Sequence, residues 1–296
     1  MTCIAASRLI RLVALGGVVA LGAASGIAAF GPAAAAVPYG VAAASTGDAG
    51  TAVVTSVSFT VDLHAHVPAH PTVHLAVQGQ MNFVRHTVTA TVTLPRPAFP
   101  ASVAGALPHG NSITLQTEWV NQHAYMAVPS GWSALADGAP VLSLPTSPSL
   151  RRAVMTTLTQ SAVALTYAKL LLNELIDAHT AHRVAPRVIG GVAATGTHVE
   201  LTLAQLLKLV PELSPTMSTY AARLADQTIP ATVWVDHRGR LVEVTLADPG
   251  RTTAPVIGTV RFSHYGAPAP APVPSATTVK SIPPTLAHLL GGWYYF

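Results

Sequence analysis

The sequence predicts an α+β fold, an antiparallel sheet together with one long helix. Three observations predict it. Short stretches of period-two alternation follow one another with turn residues between them. The run from Leu150 to about His179 contains neither Pro nor Gly. Alternation then resumes, so strands mostly succeed strands instead of alternating with helices.

The first strand is read in SVSFTVDLHAH, Ser56 to His66. Val57, Phe59, Val61 and Leu63 share one face, while Ser58, Thr60, Asp62, His64 and His66 share the other. Residues 72–83 repeat the pattern with Val73, Leu75, Val77, Met81 and Phe83. HTVTATVTL, from His86 to Leu94, alternates Val with Thr. Residues 112–120 and 123–128 give two strands around Asn121-Gln122. Leu150, Val154, Leu158, Ala162, Leu165, Leu172, Leu175 and Ile176 then recur mostly at steps of three and four, the spacing of one apolar helix face. Residues 187–203 return to strand, interrupted by Gly190-Gly191 and Gly196. Residues 204–210 and 215–226 read as helical, and 229–236, 241–247 and 255–265 as strands. APAPAPVPS follows as an extended Pro-Ala segment, and Leu286 to Leu290 as a last apolar turn before GGWYYF.

Composition bounds the function. Of 296 residues, 50% are hydrophobic and 9% charged, which suits a packed core and excludes a disordered chain. Arg8 and Arg11, the apolar stretch Leu12 to Phe30 and the A-x-A site Ala34-Ala35-Ala36 read as an export signal over residues 1–36, or as an uncleaved anchor. Residues 37–50 are small and polar and read as a tether. The domain is expected from 51 to 283, with a tail over 284–296. Loss of residues 1–36 leaves 14 basic against 12 acidic residues, no footprint for nucleic acid. It also removes Cys3, the single cysteine, and with it disulfides, thiol catalysis and thiolate metal sites. Cys3 precedes the apolar stretch, so no lipid anchor is expected.

TIPATVWVDHRGRLVEVTLADP, Thr228 to Pro249, concentrates Asp236, His237, Arg238 and Arg240. Asp at the first and Gly239 at the fourth position of a turn, between alternating runs, predict a hairpin tip. A catalytic Asp–His pair is not expected, since neighbours in a tight turn rarely converge on one point.

Residues from about Gly191 to Pro283 carry a resemblance. GGVAATGTHVELTL, with a helix before and after it, continues into IPATVWVDHRGRLVEVTL and VIGTVRFSHYGAPAPAPVPS. This stretch resembles the C-terminal half of actinobacterial LppX/LprG-type envelope proteins, and the strands from about Val53 fit the same plan. The resemblance implies a LolA/LolB-like fold: a strongly curved antiparallel sheet, a half-open barrel, wrapped around a long helix over an apolar cavity. It further implies a non-enzymatic exported carrier or sensor of lipids or lipoglycans at the cell envelope, binding acyl chains, with no cofactor. Many members have a lipobox Cys where this sequence reads AAAAV, which sets aside the lipoprotein label more than the binding role.

For that cavity, alternation nominates Phe59, Val61, Leu75, Val77, Val233 and Val244 on strands, and Leu165, Leu172, Leu175 and Ile176 on the helix. Core packing is the plain alternative for each. No G-x-S-x-G, S-x-x-K, H-E-x-x-H or Gly-rich phosphate loop is present, so no enzyme is expected. The chemical alternative is DLHAHVPAHPTVH. Asp62, His64 and His66 share a strand face, and His74 on the next strand approaches them across the hairpin. Imidazoles and a carboxylate converging this way hold zinc or copper(II). The plain alternative is a solvated sheet face in a chain with 13 His. A metal site of this kind belongs with a second function class, a packed-barrel structural or regulatory envelope protein. The terminal WYYF offers either membrane contact or a packed cap.

Overall fold

The structure is a computed structural model that describes residues 54–65, 73–96, 112–129, 131–146, 181–202, 228–247, 256–268 and 278–290, with single positions between 148 and 173. These residues fall into two compact units. One holds Ser56–Thr156 and the chain from Ile257 onward, and the other Thr157–Val256 with Val54 and Thr55.

In the first unit, β1 (Ser56–Ala65), β2 (Val73–Asn82), β3 (Thr87–Pro95), β4 (Ser112–Val120), β5 (His123–Ala127) and β6 (Val141–Leu144) form an antiparallel meander in chain order. The Asn121-Gln122 corner between β4 and β5 has φ of 51° and 65°. Two positive φ values in succession match the twist of the flanking strands. The register stacks like with like. Val57, Met81, Val88, Trp119 and Ala124 form one cross-strand row, and Val61, Val77, Val92 and Leu115 another. Val57, Val92, Leu115 and Met126 are all at most 2% exposed, so this face is the core. Phe59 pairs with Gly79, and its ring lies where a Gly79 side chain would point.

Later segments complete this unit and form the second. In the second unit, β7 (Ala181–Ile189), β8 (Val192–Thr202), β9 (Thr228–Asp236) and β10 (Leu241–Ala247) pair antiparallel in chain order. In the first unit, β11 (Val256–Ser263) lies antiparallel to β1, and β12 (Val279–Ser281) lies parallel to β6. A 3-10 helix, Ser133–Ala136, and α1, Pro284–Leu290, pack together, with Trp132 and Leu286 buried beside them.

Two parts of the expected fold class are corrected. The sheet is mixed, not purely antiparallel, because β12 returns parallel to β6. A three-residue strand is too short to show alternation, so nothing in VKS announced it. The expected wrapping of a sheet around a long helix is also not found. The helices bounded among the described residues are the 3-10 turn and the seven-residue α1. Positions described singly or in pairs between 148 and 173 have helical backbone, Leu158, Leu165 and Ala168 buried among them, too few to define a helix of the expected length. Three-and-four spacing fixes which side chains share a face, not how far a helix runs. This segment is rich in Thr, a weak helix former. Thr166 donates its hydroxyl to the Ala162 carbonyl four residues back, at 2.7 Å, a contact that bends helices, and accepts the Val54 N–H. The helices expected over 204–210 and 215–226 lie outside the described residues.

A charged group is built into the second unit. Glu243 is 1% exposed and pairs with Arg187, whose guanidinium lies 4.1 Å over the Trp234 ring. Ile189, Ala194 and Val242 pack around that indole. Gly196 sits beneath it, and a Cβ there would meet the ring at 2.7 Å.

Two stability outcomes are expected. Gly79→Ala drives a methyl into the Thr89 carbonyl and within 2.8 Å of the Phe59 ring. It should cost about 2–3 kcal/mol in urea unfolding, the scale of an overpacked core. Arg187→Met should cost about 2 kcal/mol by removing the ion pair of the buried Glu243. Adding Glu243→Met to it should recover most of that loss, and a double variant as unstable as the single one would contradict the account.

Candidate functional site

The same register that buries one face of β1–β6 gathers polar side chains on the other. Ser58, Gln80, Thr89, Glu118 and Tyr125 lie in one cross-strand row, and Thr60, Gln78, Thr91 and Gln116 in the next. They line a trough of about 790 Å³. Ala127 and Val141 flank it at one side, Ser263, His264 and Ala267 at the other. That second side is pinned: Ser56 donates its hydroxyl to the Ala267 carbonyl at 2.6 Å, and the Gly266 N–H donates to the Ser56 carbonyl at 2.9 Å.

The lining carries one carboxyl group, Glu118, and one imidazole, His264. Gln80 donates to the Ser58 hydroxyl at 3.2 Å, while Gln78 and Gln116 are exposed. Each amide offers two donors and an acceptor, and each Thr a donor and two acceptor lone pairs. Glu118 differs. Its Oε1 is buried with no hydrogen-bond partner, and burial pushes its carboxyl pKa up. The trough can therefore hold hydrogen-bonding groups, and Glu118 presents an acceptor seeking a donor.

Of the nominated apolar positions, Phe59 is among the residues that border the trough. Phe59 and Val61 are 4% and 2% exposed, and their side chains alternate to the face opposite the polar rows. In the second unit, Leu165, Val233 and Val244 are at most 2% exposed. Val77 is half-buried on β2, and Leu75 is described only as backbone of the same strand. Leu172, Leu175 and Ile176 lie outside the described residues. The trough was missed because alternation was used to find the core, and the polar half of the alternation was taken as solvated. Its signal was present in Gln78, Gln80, Gln116 and Glu118, long side chains able to converge on one face.

The nominated metal ligands are brought together, apart from His66, which lies outside the described residues. His64 and His74 are register partners. Their rings stack with centroids 4.6 Å apart and 17° between planes. Both Nε2 atoms approach the same oxygen, Asp62 Oδ1, at 3.0 Å from His64 and 2.6 Å from His74. All three side chains are about half exposed.

A second histidine pair escaped the sequence reading. His182 and His198 are partners on β7 and β8, with ring centroids 4.9 Å apart. Burial lowers the His198 pKa, His182 lowers it further and Glu200 opposes both. The Asp236 turn is structural. Its Oδ1 accepts the N–H groups of Arg238 and Arg240, both at 2.9 Å, and its Oδ2 accepts Arg240 Nε at 2.8 Å. Arg240 thus folds back onto the turn instead of pointing at water, while His237 and Arg238 are exposed.

No family model and no curated protein matches the chain. Solved structures do. The chain is similar to LppX and LprF. The Mycobacterium tuberculosis lipoprotein LppX is 14% identical, with a TM-score of 0.39, over 73% of this chain and 89% of that one. LprF from Mycobacterium bovis is 13% identical, with a TM-score of 0.41, over 76% and 92%. A LolA superfamily protein from Nitrosomonas europaea is 9% identical, with a TM-score of 0.23, over 73% and 87%.

Glu118 gives a pH-dependent outcome. A raised folded-state pKa means the folded chain holds this proton more tightly than the unfolded one, so the group's contribution to stability falls as pH rises above its ordinary 4.5. Glu118→Gln should therefore raise the Tm at pH 7, with the gain shrinking at pH 4. An equal shift at both pH values would show that the carboxylate charge is not the cause.

Proposed function

We propose that the chain is an exported, non-enzymatic binding protein of the cell envelope that carries or senses a lipid or lipoglycan. The observation that carries this reading is the trough. Its volume of about 790 Å³ is that of a ligand site, and its lining sets amide and hydroxyl groups in a mostly apolar surface, which suits a ligand with both hydroxyl and hydrocarbon parts. The resemblance of residues 191–283 to LppX/LprG-type proteins and the export-signal pattern of residues 1–36 support the setting. The absence of nucleophile, metalloprotease and phosphate-loop motifs from the sequence supports a role without a covalent step.

Binding of this kind works by exchange. Gln78, Gln80, Gln116 and Glu118 give up water and take hydroxyl groups of the ligand, with little change in net charge. Phe59, Val61, Leu165, Val233 and Val244 are themselves buried, and Phe59 borders the trough. A second reading, a structural or regulatory envelope protein, draws on the packing of the apolar face, where Leu115, Met126 and Val260 are fully buried.

Native mass spectrometry of the chain purified from an actinobacterial host, followed by organic extraction, separates the two. The expected result is a bound lipid or lipoglycan, lost in Gln78→Trp/Gln116→Trp, which fills the trough from two exposed positions. A bare mass under conditions that keep lipid on a known carrier, or an adduct retained by the filled variant, would favour the structural reading.

A further inference from the structure

We propose that Asp62, His64 and His74 form a binding site for a divalent late first-row transition-metal ion, with zinc as the reference. This goes beyond the trough reading and does not depend on what the trough holds.

The placement comes from the backbone. Residues 62, 64 and 74 sit on paired strands whose register runs unbroken from Ser56–Asn82 to Ala65–Val73. His64 faces His74 directly, and Asp62 is two residues along on the same face. A solvated sheet face spreads its polar side chains toward water. Here two imidazoles stack and turn both Nε2 atoms onto one carboxylate oxygen. Among the described residues, this is the single group of three or more such side chains whose ligand atoms lie within 4.8 Å of one another. The His182–His198 pair belongs to no such group.

The donor set fits the ion. Two neutral imidazoles and one carboxylate are a borderline-soft N/O set that suits zinc, copper(II) and nickel(II) and disfavours calcium and magnesium. Three protein ligands leave one tetrahedral position open, and the half-exposed side chains leave it to water or to an external ligand. At metal–ligand distances of about 2.0–2.1 Å, tetrahedral donors stand roughly 3.3 Å apart. Asp62 Oδ1 is at 3.0 and 2.6 Å from the two nitrogens, so these separations have to open by about 0.3 and 0.7 Å. Exposed side-chain rotations supply that without moving a strand. On binding, the ion takes both Nε2 lone pairs and a carboxylate oxygen, which requires each imidazole in its neutral form with the proton on Nδ1.

The test uses the full chain without an affinity tag. Zinc is titrated by calorimetry, and cobalt(II) by its visible absorption. The expected result is uptake of one equivalent, with the absorption of a low-coordinate nitrogen–oxygen site. Loss of a second-shell partner costs a metal site about 10–100-fold, so Asp62→Asn, His64→Asn and His74→Asn should each weaken binding at least tenfold. Far-UV circular dichroism checks that each variant keeps its sheet. His86→Asn is the control: His86 is exposed in a turn at φ 51°, a conformation Asn accepts, and its replacement should leave affinity unchanged. Absence of one-equivalent uptake by the parent chain overturns the proposal. So does parent-like affinity in folded Asp62→Asn and His74→Asn, since the ion would then be held by other histidines.

Discussion

The register of the six-strand meander is the constraint on which the first unit depends. Side chains alternate faces, so a slip of one residue between β1 and β2 would exchange every inward and outward position. It would carry Val57, Phe59 and Val61 into water and Ser58, Thr60 and Asp62 into the core. Phe59 over Gly79 helps to hold the alignment, because only a residue without a side chain leaves room for the ring there. The Asn121-Gln122 turn does the same for β4 and β5 through its two positive φ values. Core and candidate sites are thus two sides of one decision. The alignment that stacks Val61, Val77, Val92 and Leu115 also aligns Gln78, Thr91 and Gln116 across the opposite face.

In the second unit, charge takes the place that register has in the first. Burying a carboxylate costs several kcal/mol unless its oxygens are bonded, and two carboxylates are buried here. Asp236 is satisfied within its own turn, by two backbone N–H groups and the Arg240 guanidinium. Glu243 is satisfied across strands, by Arg187 lying on Trp234. The β-bulge between Leu241 and Glu243 places the carboxylate on the indole side. Each arrangement occupies its carboxylate, and neither leaves a free base beside a cleft.

Much of the strand framework was legible. Alternation in 56–66, 112–120 and 229–236 places strands within a residue or two of β1, β4 and β9. Asp236 and Gly239 mark their hairpin because each does a job few other residues do in a turn. β6 and β12 were not legible, having four and three residues, fewer than a period-two pattern needs to show itself. The long helix was over-read from apolar spacing, which says nothing of length. Hydrophobicity identifies what leaves water, and Phe59, Val61, Val233 and Val244 did leave it. The cluster at Asp62, His64 and His74 was legible because His64 and His74 lie close across a hairpin whose faces alternation had already assigned.

Trough and cluster share a face, and that limits what the face can be. Asp62, His64 and His74 continue the same alternation as Ser58, Thr60, Gln78 and Gln80. The row of Asp62 lies two residues along from Thr60, roughly 7 Å. An ordinary solvated sheet face is kept in water by Lys and Glu, yet this chain is only 9% charged. The trough rows instead carry amides and hydroxyls, which tie affinity to the geometry of donors and acceptors. A face built from such groups gains little from long-range attraction and discriminates by shape and hydrogen bonding at contact. The cluster at its end supplies the opposite chemistry, a set of donors able to fix a positive charge at one point. A neutral, hydroxyl-rich ligand along the rows and an ion at their end make separate demands, and the alternation of β1 and β2 meets both without changing a single core position.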